Sequence, residues 1–208
     1  MQDWDQWIAG RSHLTGKLKG ADPHNAEAYF LKLHATTEAF FRRMLFVGLR
    51  LNLVTSADAS DWLHHNDSTP AKGNFPQQFN SLYGPAVSFE RVLADCPNGE
   101  NLWELWLDFA KPVRNHLAHG IRRYSADWLV CGVRINQCLL IELDGAIAKH
   151  LGGSIADNLT KLQPRLPIGR NGMNITTLLG KKPKKPKPQV SLSDAQNRLI
   201  SIGLLLPA

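Results

Sequence analysis

Two proline-free stretches constrain this chain more than any other feature. Residues 24–54 and 126–151 repeat apolar side chains every three or four positions, which lines one face of a helix turning about 100° per residue. In the first, Phe30, Leu33, Phe40, Met44 and Val47 mark a face that continues to Leu51. In the second, Leu129, Val133, Leu140, Leu143, Ile147 and Leu151 form a stripe, and Gly152-Gly153 ends it. Each stretch therefore reads as a long core helix, and a fold must be found that buries both stripes.

Two further segments supply partners. Phe79, Leu82, Tyr83, Val87, Phe89, Val92 and Leu93 give a helical pattern over 75–94, which Gly84-Pro85 should kink or divide. Asp95-Cys96-Pro97-Asn98-Gly99 is a turn. From about Asn101, Leu102, Trp103, Leu105, Trp106, Phe109, Val113 and Leu117 make the most apolar helix of the chain. Pro112 lies inside it. Its ring clashes with the Asp108 carbonyl, so either a bend or a fresh helical segment starting at Pro112 is expected. The pattern predicts an all-α bundle of four to five main helices with a less regular C-terminal extension.

The domain reading is a helical domain over 1–153 (core about 24–151), an irregular extension over 154–180, a basic Pro/Lys linker over 181–189 and a short helix over 190–208. Trp4, Trp7, Ile8, Leu14 and Leu18 predict a short N-terminal helix folded back on the bundle. Residues 55–73 read as loops with one helical turn at 59–64. Gly169-Arg170-Asn171-Gly172 is a candidate hairpin. A Ser193-Asp194 start and Leu199, Ile200, Ile202, Leu204 and Leu205 predict the last helix.

Bulk properties exclude several classes. A chain of 208 residues suits one domain with appendages. No apolar run approaches the roughly 20 residues of a membrane span, and the start Met1-Gln2-Asp3-Trp4 lacks the basic and apolar regions of a secretory signal. The expectation is a cytoplasmic protein without a membrane partner. Cys96, Cys131 and Cys138 are too few and too irregular for a disulfide framework or a zinc site. Cys131 and Cys138, a heptad apart on a predicted helix, read as core thiols. His64-His65 with Asp61 and Asp67 also fails as a metal site, because adjacent side chains diverge and no third ligand recurs. No metal and no cofactor is expected. Net charge is +6 with a pI near 9.4, which favours an anionic partner such as nucleic acid. Five of the 12 lysines, Lys181, Lys182, Lys184, Lys185 and Lys187, lie in the linker, where binding would be electrostatic and sequence-blind.

Chemistry concentrates at Arg114-Asn115-His116-Leu117-Ala118-His119-Gly120, the end of the most apolar helix. Asn115 and His119 stand at i, i+4, so the amide can orient the imidazole, while the long Arg114 stem can swing its fork towards an anion the imidazole also reaches. A permanent cation and a group titrating near neutrality then share a phosphate-sized space. The plainer reading is that both cations finish a helix and complement its dipole.

This arrangement resembles the R-x(4–6)-H signature of HEPN-domain ribonucleases, with Arg114, Asn115 and His119 in its commonest form; the resemblance covers about residues 24–151. It implies an all-α HEPN-like bundle carrying the motif at the junction of its last two core helices. It implies a metal-independent endoribonuclease in which Arg114, Asn115 and His119 are catalytic, RNA is the substrate, and the products end in a 2′,3′-cyclic phosphate and a 5′-OH. It further implies a homodimer with a composite active site, and a toxin or phage-defence setting with an antitoxin or complex partner. Glu38 either pairs with Arg42 on the helix surface or, by the resemblance, supports His119. His116, Arg122, Arg123 and the linker lysines are candidates for second contacts or RNA binding, solvated arginines being the default near a turn. The alternative function is a non-catalytic HEPN-like RNA-binding or dimerisation module.

Overall fold

The computed structural model describes residues 23–65, 74–155, 157, 158 and 190–205. Among these residues every regular element is a helix, and the fold is an all-α helical bundle. In chain order the helices are α1 (Pro23–Leu51), α2 (Ser56–His65), α3 (Phe75–Tyr83), α4 (Phe89–Ala94), α5 (Gly99–Leu105), α6 (Lys111–Ala118), α7 (Ala126–Leu151) and α8 (Leu192–Ser201). A 3-10 turn, Pro85–Val87, joins α3 to α4, and a π-helical turn, Trp106–Ala110, joins α5 to α6. No described helix is long and apolar enough to cross a membrane.

The described residues belong to two compact units. The first takes in residues 23–37, 98–142 and 190–205; the second takes in 38–65, 74–97, 143–155, 157 and 158.

In the first unit the apolar stripe of the motif helix is buried as far as Val113, and Leu117 beyond it is half-buried. Leu102, Leu105, Trp106, Phe109 and Val113 are buried, and Trp106 is the largest side chain completely removed from solvent. Each such side chain contributes about 1.5–3 kcal/mol by leaving water. The Trp106 indole stacks on His34 (5.1 Å between centroids, planes 3° apart) and on Trp103 (5.7 Å), and its Nε1–H donates to Asn136 Oδ1 at 2.8 Å. Asn136 in turn donates to the Gly132 carbonyl at 2.7 Å. Gly132 is required by close approach, since a Cβ built there would overlap the Phe30 ring.

Pro112 does not end this helix. Backbone angles stay helical at Ala110 and Lys111, and Lys111 N–H reaches back five residues to the Trp106 carbonyl. The π turn widens the helix just before the proline and leaves the Asp108 carbonyl without a donor from residue 112. Val190 N–H fills that place, donating to Asp108 O at 3.1 Å, and α8 follows at once. The cap of α8 is Ser191, whose Oγ accepts from Asp194 N–H, two residues before the start expected from Ser193-Asp194. Ala195 and Leu199 are buried.

The second unit is built on aromatic packing. Phe75 meets Phe41 at 4.8 Å and Phe89 at 5.1 Å, both edge to face, and Phe79 lies 5.5 Å from Phe89. Tyr83 donates its hydroxyl to the Met44 carbonyl at 2.7 Å. Gly84-Pro85 divides the 75–94 segment as expected, and Ser88 caps α4 by accepting from Arg91 N–H.

Several expectations are corrected. Residues 56–65 form a full helix and not one turn, because Thr55 Oγ1 accepts from Asp58 N–H while its hydroxyl donates to the Asp58 carboxylate, a reciprocal cap. Leu51 is 45% exposed, so the α1 stripe stops before it. Cys138 is half-buried, unlike Cys96 and Cys131. The N-terminal helix, the candidate hairpin, the linker lysines and the side chains of Asp61, His64, His65 and Asp67 lie outside the described residues.

Candidate functional site

The motif occupies the last turn of α6 and the turn that follows, within the first unit. Helix α6 closes by two bonds: Gly120 N–H donates to Leu117 O at 3.1 Å and Ile121 N–H to His116 O at 2.9 Å. These bonds require a left-handed residue between them, and Gly120 supplies it at φ 63°. The capping glycine read from the sequence has this role. His119 is the cap residue itself, its N–H still donating to Asn115 O at 3.1 Å.

Burial falls steadily through the motif. Val113 is buried, residues 114–117 are half-buried, and Ala118, His119, Gly120, Ile121, Arg122 and Arg123 are exposed. Arg114 turns its Nη1 to the adjacent Asn115 Oδ1, to which it donates at 2.9 Å. The amide oxygen expected at His119 is thus engaged by Arg114. Among the described residues no side chain lies within hydrogen-bonding distance of the His119 imidazole.

The neighbouring histidine is held instead. His116 Nδ1 lies 2.5 Å from the Tyr124 hydroxyl, and the two rings are within 4° of parallel with centroids 6.1 Å apart. Tyr124 also packs on Trp128 (4.9 Å), which stacks on the buried Phe109 (5.0 Å). The Arg122 guanidinium lies over both the Tyr124 ring (5.2 Å) and the Trp128 ring (5.8 Å). Burial pushes the Tyr124 hydroxyl above its ordinary pKa, and the positive charge of Arg122 opposes part of that rise. Arg122 is therefore exposed yet packed against aromatics; Arg123 is exposed as well.

Tyr124 and Trp128 were not legible as site residues, although their i, i+4 spacing directly after two arginines was the available signal. Glu38 is only 6% exposed, while Arg42 is exposed, so Glu38 is not the surface residue that the expected pair required. The described residues contain no group of three His, Cys, Asp or Glu that could hold a metal ion. No protein-family profile, curated protein or solved structure matches the chain.

Chemically, the helix end offers a guanidinium, an amide, an exposed imidazole and a second imidazole tied to a phenol. Groups of these kinds are chemically able to bind an anion and to exchange a proton.

Proposed function

We propose that the chain is a metal-independent endoribonuclease of the HEPN type. RNA carries its own nucleophile in the 2′-OH, so a protein that orients it, removes its proton and stabilises the charged phosphorane needs no further reagent. In this reading His119 takes the 2′-OH proton, Arg114 binds the non-bridging phosphate oxygens, and Asn115 holds the Arg114 fork. The observation that carries it is the placement of Arg114, Asn115 and His119 on one glycine-closed helix end with the imidazole exposed. A toxin or phage-defence role, a homodimer and an antitoxin-like partner belong to the same proposal through the motif's resemblance. Trp103 and Trp106 are buried and supply no dimer contact; Ile121, 68% exposed beside the motif, is the apolar side chain placed to do so.

The test is incubation of purified wild-type, Arg114→Ala and His119→Ala protein with total RNA in chelator, followed by analysis of the cut ends. Cyclic phosphate and 5′-OH ends are expected, with each variant at least about a hundredfold slower and still helical by circular dichroism. Activity lost in chelator and restored by magnesium overturns the reading.

One observation favours a second reading, a non-catalytic RNA-binding module: Asn115 engages Arg114 and leaves His119 unoriented. RNA affinity without cleavage selects it.

A further inference from the structure

We propose that His116, positioned by Tyr124, is the general acid that protonates the 5′-oxygen leaving group in the same reaction for which His119 is the base. This inference rests on the ribonuclease reading.

The chemistry calls for two groups. As the 2′-oxygen bonds to phosphorus, its proton passes to His119; as the bond from phosphorus to the 5′-oxygen breaks, that oxygen takes a proton from His116. The products are the 2′,3′-cyclic phosphate and a 5′-OH, and the two imidazoles return to their starting states by exchanging protons with water. No other reactant is consumed.

The geometry places the two groups together. His116 and His119 are three residues apart, and the His119 N–H is still bonded to the Asn115 carbonyl, so the backbone reaches His119 on its helical path. Residues at that spacing have Cβ atoms about 5–6 Å apart on one side of a helix. Arg114 and His119, by contrast, are roughly 140° apart around the axis at about 100° per residue.

The hydrogen bond to Tyr124 decides which nitrogen of His116 is presented. The rings are joined edge to edge at 2.5 Å and lie within 4° of parallel with centroids 6.1 Å apart, so they sit side by side in nearly one plane. In-plane contact is the alignment in which the Nδ1–H of an imidazolium donates to a phenol oxygen. Burial raises the pKa of Tyr124, so it stays a phenol and offers a neutral oxygen as acceptor. The acid is the imidazolium form of His116: with Nδ1–H held by Tyr124, Nε2–H is the proton left to face a leaving group, and its transfer leaves a neutral imidazole. His119 has no such partner among the described residues, which suits a base that takes its proton from substrate.

The test compares a short RNA with a mixture of the four ribonucleoside 3′-(4-nitrophenyl phosphates), whose nitrophenolate leaves without protonation. His116→Ala should lose at least about a hundredfold on RNA yet stay near wild type on the aryl esters. Tyr124→Phe should lower kcat on RNA about tenfold with KM unchanged, as expected of a group that orients another. His119→Ala should fail on both substrates. Equal loss of both activities in His116→Ala, or a raised KM with unchanged kcat in Tyr124→Phe, overturns the inference while leaving the ribonuclease reading intact. A wild-type protein inert on both substrates overturns the two together.

Discussion

The Asp108 carbonyl, which Pro112 cannot serve with an N–H, accepts the backbone N–H of Val190 at 3.1 Å. A local defect in the motif helix is thereby the attachment point of a segment more than eighty residues later in the sequence. The buried Ala195 and Leu199 complete that attachment, and an ion pair from Arg198 to Glu104 at 3.3 Å lies at its edge.

These contacts differ in weight. Leu199→Ala removes a fully buried side chain and should destabilise the docked α8 by about 2–4 kcal/mol. Arg198→Ala breaks a pair whose side chains are 41% and 48% exposed and should cost less than about 1 kcal/mol. Amide exchange across Leu192–Ser201 checks both, with protection lost in the first variant and nearly retained in the second. Equal effects would mean that burial is not what holds the helix.

Two glycines of α7 should respond in opposite directions to alanine. At Gly132 the new methyl would overlap the Phe30 ring, which is itself completely buried, so a loss of about 1–3 kcal/mol is expected from overpacking. At Gly145 nothing lies within 4 Å of the added Cβ and the residue is exposed, so a gain of about 0.5–1 kcal/mol follows from helix propensity. Urea titration of both variants measures the signs.

The bundle was legible because its signal is local and repeated. Phe30, Leu33, Phe40, Met44 and Val47 announce α1 and are buried as the period requires. The Gly120 closure was legible for the same reason, since a left-handed residue after an apolar stripe has few other uses. Side-chain pairing was not. Asn115 has two reachable partners, Arg114 and His119, and spacing alone could not choose between them. The Tyr124 contact to His116 crosses a turn whose path is set by Gly120, and the π turn before Pro112 meets its unsatisfied carbonyl with a residue far away in sequence. The reciprocal Thr55–Asp58 cap was readable, but the surrounding Ser and Asp residues look equally like a loop.

A thiol gives the chain an alkaline limit. Burial, aided by Asp127, pushes Cys131 from an ordinary 9.0 up to about 11. The folded state then holds the proton more tightly than the unfolded state. Its stabilising contribution is complete below pH 9 and declines by on the order of 1 kcal/mol per pH unit between about pH 9 and pH 11. Cys131→Ala should flatten that part of the stability profile, at the expense of a small cavity. Denaturant midpoints at pH 8, 9, 10 and 11 test it, and identical slopes in the two proteins would remove Cys131 as the cause.

The Arg114–Asn115 contact yields the sharpest test of how the motif works. At 2.9 Å the amide oxygen holds one Nη1 of the fork but carries no charge, so a phosphate can compete for the guanidinium. Asn115→Asp replaces that oxygen with a carboxylate that is already in place. It should lock Arg114 in an ion pair and repel the substrate anion. Asn115→Ala removes that one contact and should be the milder change, within about tenfold of wild type if Asn115 acts through Arg114. Arg114→Lys should also be impaired, because an ammonium cannot make the two-pronged contact with phosphate. Cleavage rates for the three variants on one RNA, each at low and at 0.3 M salt, separate these effects. The Asp variant should be the slowest of the Asn115 pair and should recover partially with salt as its ion pair is screened. An Ala variant slower than the Asp variant would show that the Asn115 amide itself meets the substrate.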